Sequence, residues 1–169
     1  MDAQPDTSRL FLALWPEPGL RERLREARDQ WTWPRAAAPV HTDKLHLTLH
    51  FLGSVPTARL PALLDGFSAP FAPFRLDLGR PTLWPHGIAV LEPHSESAEL
   101  LALHARLRAA LLALGLQPEA RQYRPHVTMA RRAAGAGMPA DDPAIAWDVR
   151  GYALVESTSA GYTVLRHYC

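Results

Sequence analysis

The chain of 169 residues is 47% hydrophobic and 21% charged, which suits one folded domain spanning residues 1–169 and excludes an intrinsically disordered chain. Its formal net charge of +1 excludes a strong overall positive field that would attract long nucleic acids, so any nucleic-acid substrate is expected to be recognised locally, at an end. A single cysteine, Cys169, excludes an intrachain disulfide and a cysteine-rich metal site, and it favours a reducing compartment such as the cytoplasm.

The first half of the chain predicts two strands and two helices. The apolar run 10–15, closed by prolines, is typical of a buried strand, and residues 1–8 are expected to be flexible. Apolar residues at helical spacing predict an amphipathic helix over 19–33. Residues 45–52 alternate and precede a glycine, which predicts a strand, and residues 57–67 predict a short helix that a threonine can cap.

The second half predicts mostly strands around one long helix. That helix covers 98–114, with Ser97 as its N-cap, a stripe of leucines along one side and Gly115 just past its end. The Ala/Gly-rich stretch 132–142 predicts an exposed loop. Five segments have the composition of strands: 74–78, 87–91, 125–130, 144–156 and 162–168. No apolar stretch approaches the length that crosses a membrane.

This order of elements favours an α+β fold, in which helices pack against a mostly antiparallel sheet. It also suggests two similar halves, each built around a strand that carries the same short motif. The motif is HLTL at 46–49 and HVTM at 126–129, that is, histidine, apolar, threonine, apolar. With 8 histidines in the chain, two chance copies of this pattern are expected in roughly fewer than one sequence in a hundred of this composition.

Strand geometry explains why these residue types suit a catalytic site. Alternate side chains point the same way, so His46 and Thr48 share one face of their strand, and His126 and Thr128 share one face of theirs. Two such strands side by side would line a cleft with two imidazoles and two hydroxyls. Because imidazole titrates near neutral pH, one ring can act as a general base while the other acts as a general acid, and the threonines can donate to phosphate oxygens.

Both motifs lie in longer segments that resemble a known family. LHLTLHFLG at 45–53 and RPHVTMAR at 124–131 resemble the two signatures of the two-histidine phosphoesterase superfamily. They are especially similar to its bacterial and archaeal RNA 2′,3′-cyclic phosphodiesterases, also called 2′-5′ RNA ligases. The segments 9–14 and 154–165 are similar to the opening and closing strands of that family, so the resemblance covers about 9–168.

The resemblance implies a bilobal α+β fold with pseudo-two-fold symmetry, in which duplicated antiparallel sheets and outer helices surround a central cleft. It implies opening of a 2′,3′-cyclic phosphate to a 2′-phosphate without metal or cofactor. By position, His46 is the general acid that protonates the leaving 3′ oxygen, and His126 is the general base that activates water. Thr48 and Thr128 would hold the phosphate, and Arg131 would stabilise its developing charge.

The expected substrates are RNA ends or tRNA fragments with a 2′,3′-cyclic phosphate, with weak reverse 2′-5′ ligation on the same path. A monomer without an obligate protein partner or membrane contact is expected. Four aromatic residues are candidates for stacking on a nucleobase, and the sequence does not select among them: Phe11, Trp15, Trp84 and Tyr123.

Two assignments stay open. Strict alternation puts Arg132, rather than Arg131, on the face of His126, unless a bulge near residue 130 re-aims the chain. Alternation also puts His50 beside His46, which allows a zinc hydrolase with His46, His50 and His126 as ligands, although this spacing converges on a metal from a helix rather than a strand. A non-catalytic RNA-end binding module is the other alternative.

Overall fold

The computed structural model describes residues 6–169, which form nine strands and three α-helices. The elements in chain order are β1 Thr7–Leu14, α1 Pro18–Asp29, β2 Ala38–Pro39, β3 Leu47–Pro56, α2 Leu60–Gly66, β4 Phe74–Trp84, β5 Ile88–Pro93, α3 Ala98–Ala113, β6 Val127–Arg131, β7 Ile145–Val149, β8 Tyr152–Thr158 and β9 Gly161–Tyr168. No helix in this part of the chain is both long and apolar enough to span a bilayer.

The strands form one antiparallel sheet whose order is symmetric about its centre. The order is β7-β4-β5-β6-β3-β1-β8-β9, and the short β2 pairs with the end of β6, at Ala130 and Arg131. Counting outward from the centre, one half runs β3, β1, β8, β9 and the other runs β6, β5, β4, β7. The two halves meet at β3 and β6, which are joined through a single residue pair, Leu47 with Val127. The predicted α+β fold with two similar half-sheets is confirmed.

The main core lies between the sheet and the helices. The leucines predicted as a stripe on α3 face it, and four of them are 1% exposed or less: Leu100, Leu103, Leu107 and Leu111. Each such side chain contributes about 2 kcal/mol of burial free energy. The predicted N-cap is confirmed, because Ser97 Oγ accepts from the Leu100 amide at 3.2 Å. Gly115 follows the helix with φ of 75°, a backbone conformation that glycine adopts without strain.

A smaller apolar cluster lies on the opposite face of the sheet. Strand β1 sends Leu10, Leu12 and Leu14 to the main core, while Phe11 and Ala13 point the other way. Within residues 6–169 this second cluster has four buried members, and Tyr162, which packs against it, lines a cavity on this face.

Two predictions about strand positions are wrong in part. Residues 144–156 form two strands rather than one: β7 pairs with β4 in one half-sheet, and β8 pairs with β1 in the other. The break falls at Gly151, where an added Cβ would lie 2.2 Å from the Tyr168 carbonyl oxygen, so no side chain fits. Thr7 and Ser8 belong to β1, and Ser8 is 3% exposed, so the predicted flexible segment does not include them. Residues 1–5 lie outside the described residues.

Candidate active site

The two motifs face each other where the half-sheets meet. Leu47 and Val127, the second residue of each motif, are paired across β3 and β6 and are both 0% exposed on the core side. Their neighbours along the strands therefore point to the opposite face. Because the strands are antiparallel, each histidine comes opposite the threonine of the other motif. Four side chains meet on this face: His46, Thr48, His126 and Thr128.

These four side chains line one open cavity of about 530 Å³, here called the catalytic cavity. Its walls carry three basic side chains, Lys44, Arg121 and Arg131, and no aspartate or glutamate among its described lining residues. Hydroxyls, imidazoles and cations without a carboxylate make a site for an anion.

The ring of His46 is held at both nitrogens. Its Nδ1 lies 2.6 Å from the Lys44 carbonyl oxygen, and its Nε2 lies 2.8 Å from the Thr48 hydroxyl oxygen. A carbonyl only accepts, so Nδ1 carries the hydrogen, and in the neutral ring Nε2 accepts from the Thr48 hydroxyl. Nε2 is therefore the atom that gains or gives a proton toward the cavity.

The surroundings of His46 favour its neutral form. Three aromatic rings pack around it, with centroids 4.8 Å away for Phe11, 5.8 Å for Trp15 and 5.6 Å for Tyr162. This burial lowers the pKa of His46 to about 4, and the positive charge of Arg21 adds to the effect.

His126 is held in the same way from the other side. Its Nδ1 donates to the Arg124 carbonyl oxygen at 2.8 Å, again the residue two positions earlier, and its Nε2 has no protein partner within residues 6–169. The Trp84 ring lies 4.3 Å away, and burial lowers the pKa of His126. The Arg124 guanidinium lies over Trp84 at 4.6 Å and binds the buried Glu92 carboxylate through two hydrogen bonds of 2.8 and 3.2 Å. This pair fixes the backbone that orients His126.

A matching arrangement supports His46. Arg21 of α1 donates to the carbonyl oxygens of Thr42 and Leu45 at 2.8 and 2.9 Å, which fixes the short 3₁₀ turn before His46. Its guanidinium lies over the Trp15 ring at 4.9 Å. Each motif histidine thus has a tryptophan beside it and an arginine stacked on that tryptophan. Sequence reasoning missed these arrangements, because only one of the arginines is near its histidine in the chain.

Tyr123 anchors the strand that carries Thr48. Its hydroxyl donates to the Thr48 carbonyl oxygen at 2.8 Å, and burial raises the pKa of that hydroxyl, which keeps it a donor. Its ring stacks on His104 of α3 at 3.8 Å, and His104 stacks on His50 at 3.9 Å. One face of the Tyr123 ring is therefore covered by this stack.

His50 does not share the face of His46, so this prediction from alternation is wrong. The pairing of β3 with β1 shifts register between Thr48 and His50, and the shift turns His50 toward α3, where its Nε2 donates to the His104 carbonyl oxygen at 2.9 Å. Phe51 takes the place on the cleft side and is 51% exposed. Within residues 6–169, no group of three histidine, cysteine or acidic side chains is arranged to hold a metal ion, and His50 does not converge with His46 and His126.

A bulge in β6 decides which arginine reaches the catalytic cavity. Opposite β5, one extra residue of β6 lies between Thr128 and Ala130, which breaks the alternation after His126. Arg131 consequently lines the cavity. Arg132 turns away with φ of 51° and is not among the lining residues. That Arg131 binds the phosphate stays a prediction.

Comparison with known proteins gives a consistent family. The family model for the 2′-5′ RNA ligase superfamily matches residues 16–158. A Thermus thermophilus protein named RNA 2′,3′-cyclic phosphodiesterase is 34% identical, with 95% of this chain and 89% of that protein aligned. An Escherichia coli protein of the same name is 31% identical, with 90% and 86% aligned.

Solved structures agree over almost the whole chain. A crystal structure described as a phosphoesterase superimposes with a TM-score of 0.85 and 28% identity, covering 98% of both chains. LigT of Escherichia coli in complex with 3′-AMP superimposes with a TM-score of 0.82 and 28% identity, covering 96% of this chain and 98% of LigT. The paired motifs across one cleft, the family model and these relatives agree: the chain belongs to the 2′-5′ RNA ligase superfamily of two-histidine phosphoesterases.

Proposed function

We propose that the protein hydrolyses 2′,3′-cyclic phosphate ends of RNA to 2′-phosphates, with His46 as general acid and His126 as general base. The coarser statement, that it is an RNA 2′,3′-cyclic phosphodiesterase, rests on four relatives that carry this name at 31–34% identity. The observation that carries the finer proposal is the crosswise meeting of the two motifs around a cavity whose described walls bear cations and no carboxylate.

The reaction needs a proton accepted on one side of the phosphorus and a proton delivered on the other. Water attacks the phosphorus as its proton passes to Nε2 of His126, and the bond to the 3′ oxygen breaks as Nε2–H of His46 protonates that oxygen. Thr48 and Thr128 donate to the non-bridging oxygens, and Arg131 offsets their charge. An RNA 5′-hydroxyl in place of water would give a 2′-5′ linkage, which is the weak ligation we include in the proposal.

The hydrogen bonds of the two rings support this division of roles. In the neutral state, Nε2 of His126 has a free lone pair to accept a proton from water, whereas Nε2 of His46 is occupied by Thr48. His46 must carry a proton to act as an acid, although its pKa is lowered to about 4 without substrate. The bound phosphodiester anion supplies the missing negative charge and raises this pKa, so the acid is charged only when the substrate is present.

The test is turnover of a short RNA that ends in a 2′,3′-cyclic phosphate, with a chelator present, followed by identification of the product. We expect a 2′-phosphate from the native protein and no turnover from His46→Ala or His126→Ala. A 3′-phosphate product would mean that the leaving oxygen is assigned wrongly. Equal binding by all three proteins without turnover would identify a binding module instead. The cytoplasmic location and the monomeric state stay predictions.

A further inference from the structure

We propose that a second groove beside the catalytic cavity binds the RNA chain on the 5′ side of the cyclic phosphate, through the phosphate that joins the last two nucleotides. This inference rests on the proposed function and specifies its substrate as an RNA chain rather than a free nucleoside cyclic phosphate. The arginine groove, as we name it, is lined by these residues among others: Phe51, Trp84, His104, Arg108, Arg121 and Arg124.

The arginine groove and the catalytic cavity are continuous. The groove encloses about 490 Å³ and shares Phe51, Trp84 and His126 with the catalytic cavity, together with Thr48 and Arg121. A terminal nucleotide whose phosphate lies between the two histidines can therefore extend into the groove without crossing a barrier.

The charges of the groove favour phosphate. Three arginines line it against one carboxylate, Glu119. Arg124 is already bound to Glu92. Arg121 has a weaker contact of 3.3 Å with Glu119, and the side chains of Arg121 and Glu119 are both exposed. Arg108 makes no salt bridge or side-chain hydrogen bond within residues 6–169, so its guanidinium is available to bind an incoming phosphate.

The other outlet of the catalytic cavity is less suitable. It passes between Phe51 and Tyr162 and is lined by Arg9 and Glu119 besides Arg131. The formal charges of Arg9 and Glu119 sum to zero, and we have assigned Arg131 to the cyclic phosphate, whereas the arginine groove carries three arginines against Glu119. An extending phosphodiester is thus attracted more strongly toward the arginine groove.

An exposed aromatic ring stands where the groove meets the catalytic cavity. Phe51 is 51% exposed and is one of three large hydrophobic residues described as exposed in the part of the chain from 6 to 169. The bulge in β3 puts it there instead of His50. A flat apolar ring beside arginines is the combination with which proteins bind single-stranded RNA, since every base can stack on it.

The experiment compares a nucleoside 2′,3′-cyclic phosphate with a dinucleotide that ends in the same group. The native protein should have a higher kcat/KM on the dinucleotide. Arg108→Gln should lower kcat/KM on the dinucleotide by roughly fivefold to tenfold, chiefly through KM, and leave the mononucleotide within about twofold. Arg106→Gln is the matched control, because it removes the same charge from an exposed position of α3 that lines neither cavity.

An equal loss of kcat/KM on both substrates in Arg108→Gln, or no preference of the native protein for the dinucleotide, would refute RNA binding by the groove. Either result would leave the proposed function intact. If the native protein hydrolysed neither substrate, the proposed function would fail instead. In that case calorimetry with a dinucleotide 3′-phosphate and a nucleoside 3′-phosphate still tests whether the groove binds RNA. The proposal requires that the native protein bind the dinucleotide more tightly and that this difference be lost in Arg108→Gln.

Discussion

Binding of an anion in the catalytic cavity should be coupled to uptake of a proton by His46. The pKa of His46 is lowered from an ordinary 6.5 to about 4 when the cavity holds no anion, so its ring is neutral at pH 5 to 6. A divalent anion beside Nε2 favours the charged ring and raises the pKa. Between the two values the affinity for the anion must rise as pH falls, by up to tenfold for each pH unit.

Sulfate is a suitable probe, since it keeps its charge throughout this range and resembles phosphate. Over the two pH units from 6.5 to 4.5, we expect its dissociation constant to fall by about 10-fold to 100-fold. The lower figure allows for the solvent access of the half-buried ring. His126, whose pKa is also lowered, acts in the same direction.

Isothermal calorimetry in buffers of different ionisation enthalpy measures both the affinity and the number of protons bound. His46→Gln should lose most of the pH dependence, whereas His167→Gln, which removes an exposed imidazole from β9 outside the catalytic cavity, should keep it. Circular dichroism at each pH confirms that the protein is folded. Equal sulfate affinity at pH 4.5 and 6.5, without proton uptake, would refute this reasoning about His46.

Three further predictions concern stability and catalysis. Burial lowers the pKa values of His46 and His104 from 6.5 to about 4, so below pH 6.5 the unfolded chain binds protons that the folded protein does not bind. The stability that depends on the two neutral rings is complete above pH 6.5 and is lost as pH falls from 6.5 to 4. Urea unfolding should therefore show a free energy of unfolding lower by roughly 1–3 kcal/mol at pH 4.5 than at pH 7. Tyr123→Phe removes the donor to the Thr48 carbonyl and should lower kcat at least threefold with little change in KM, together with a loss of about 1–3 kcal/mol of stability. Tyr168→Phe, which removes a similar hydrogen bond to a carbonyl far from the cavity, should lose stability only, and equal kcat in both variants would contradict a positioning role. A chelator should leave turnover unchanged, because no group of three metal-binding side chains forms within residues 6–169; inactivation that zinc reverses would contradict this.

Local periodicity was sufficient to predict the centre of the site. The alternation of apolar and polar residues in the two motifs put His46 with Thr48 and His126 with Thr128, and the structure has these four side chains around one cavity. This worked because the side-chain period of a strand depends only on the backbone. The long helix was predictable for the same reason, since its leucine stripe, its serine cap and its terminal glycine are all local signals.

Features that depend on strand pairing could not be predicted in the same way. The bulges near His50 and near Ala130 arise from the partners that each strand has in the sheet, and they move Phe51 and Arg131 to the cleft. The division of 144–156 depends on the approach of Gly151 to the last strand, 17 residues farther along the chain. The contact of Arg21 with the turn before His46 is likewise tertiary, and no sequence pattern links the two.

The single residue pair that joins the two half-sheets has a consequence for how the reaction rate can change over evolution. The strands that carry the two imidazoles are joined at one point, and that point is a pair of buried aliphatic side chains, Leu47 and Val127. Adding or removing a methyl group there would tilt the half-sheets against each other and alter the gap between proton donor and proton acceptor. Residues that do not contact the substrate can thus change the reaction rate from the core side of the sheet.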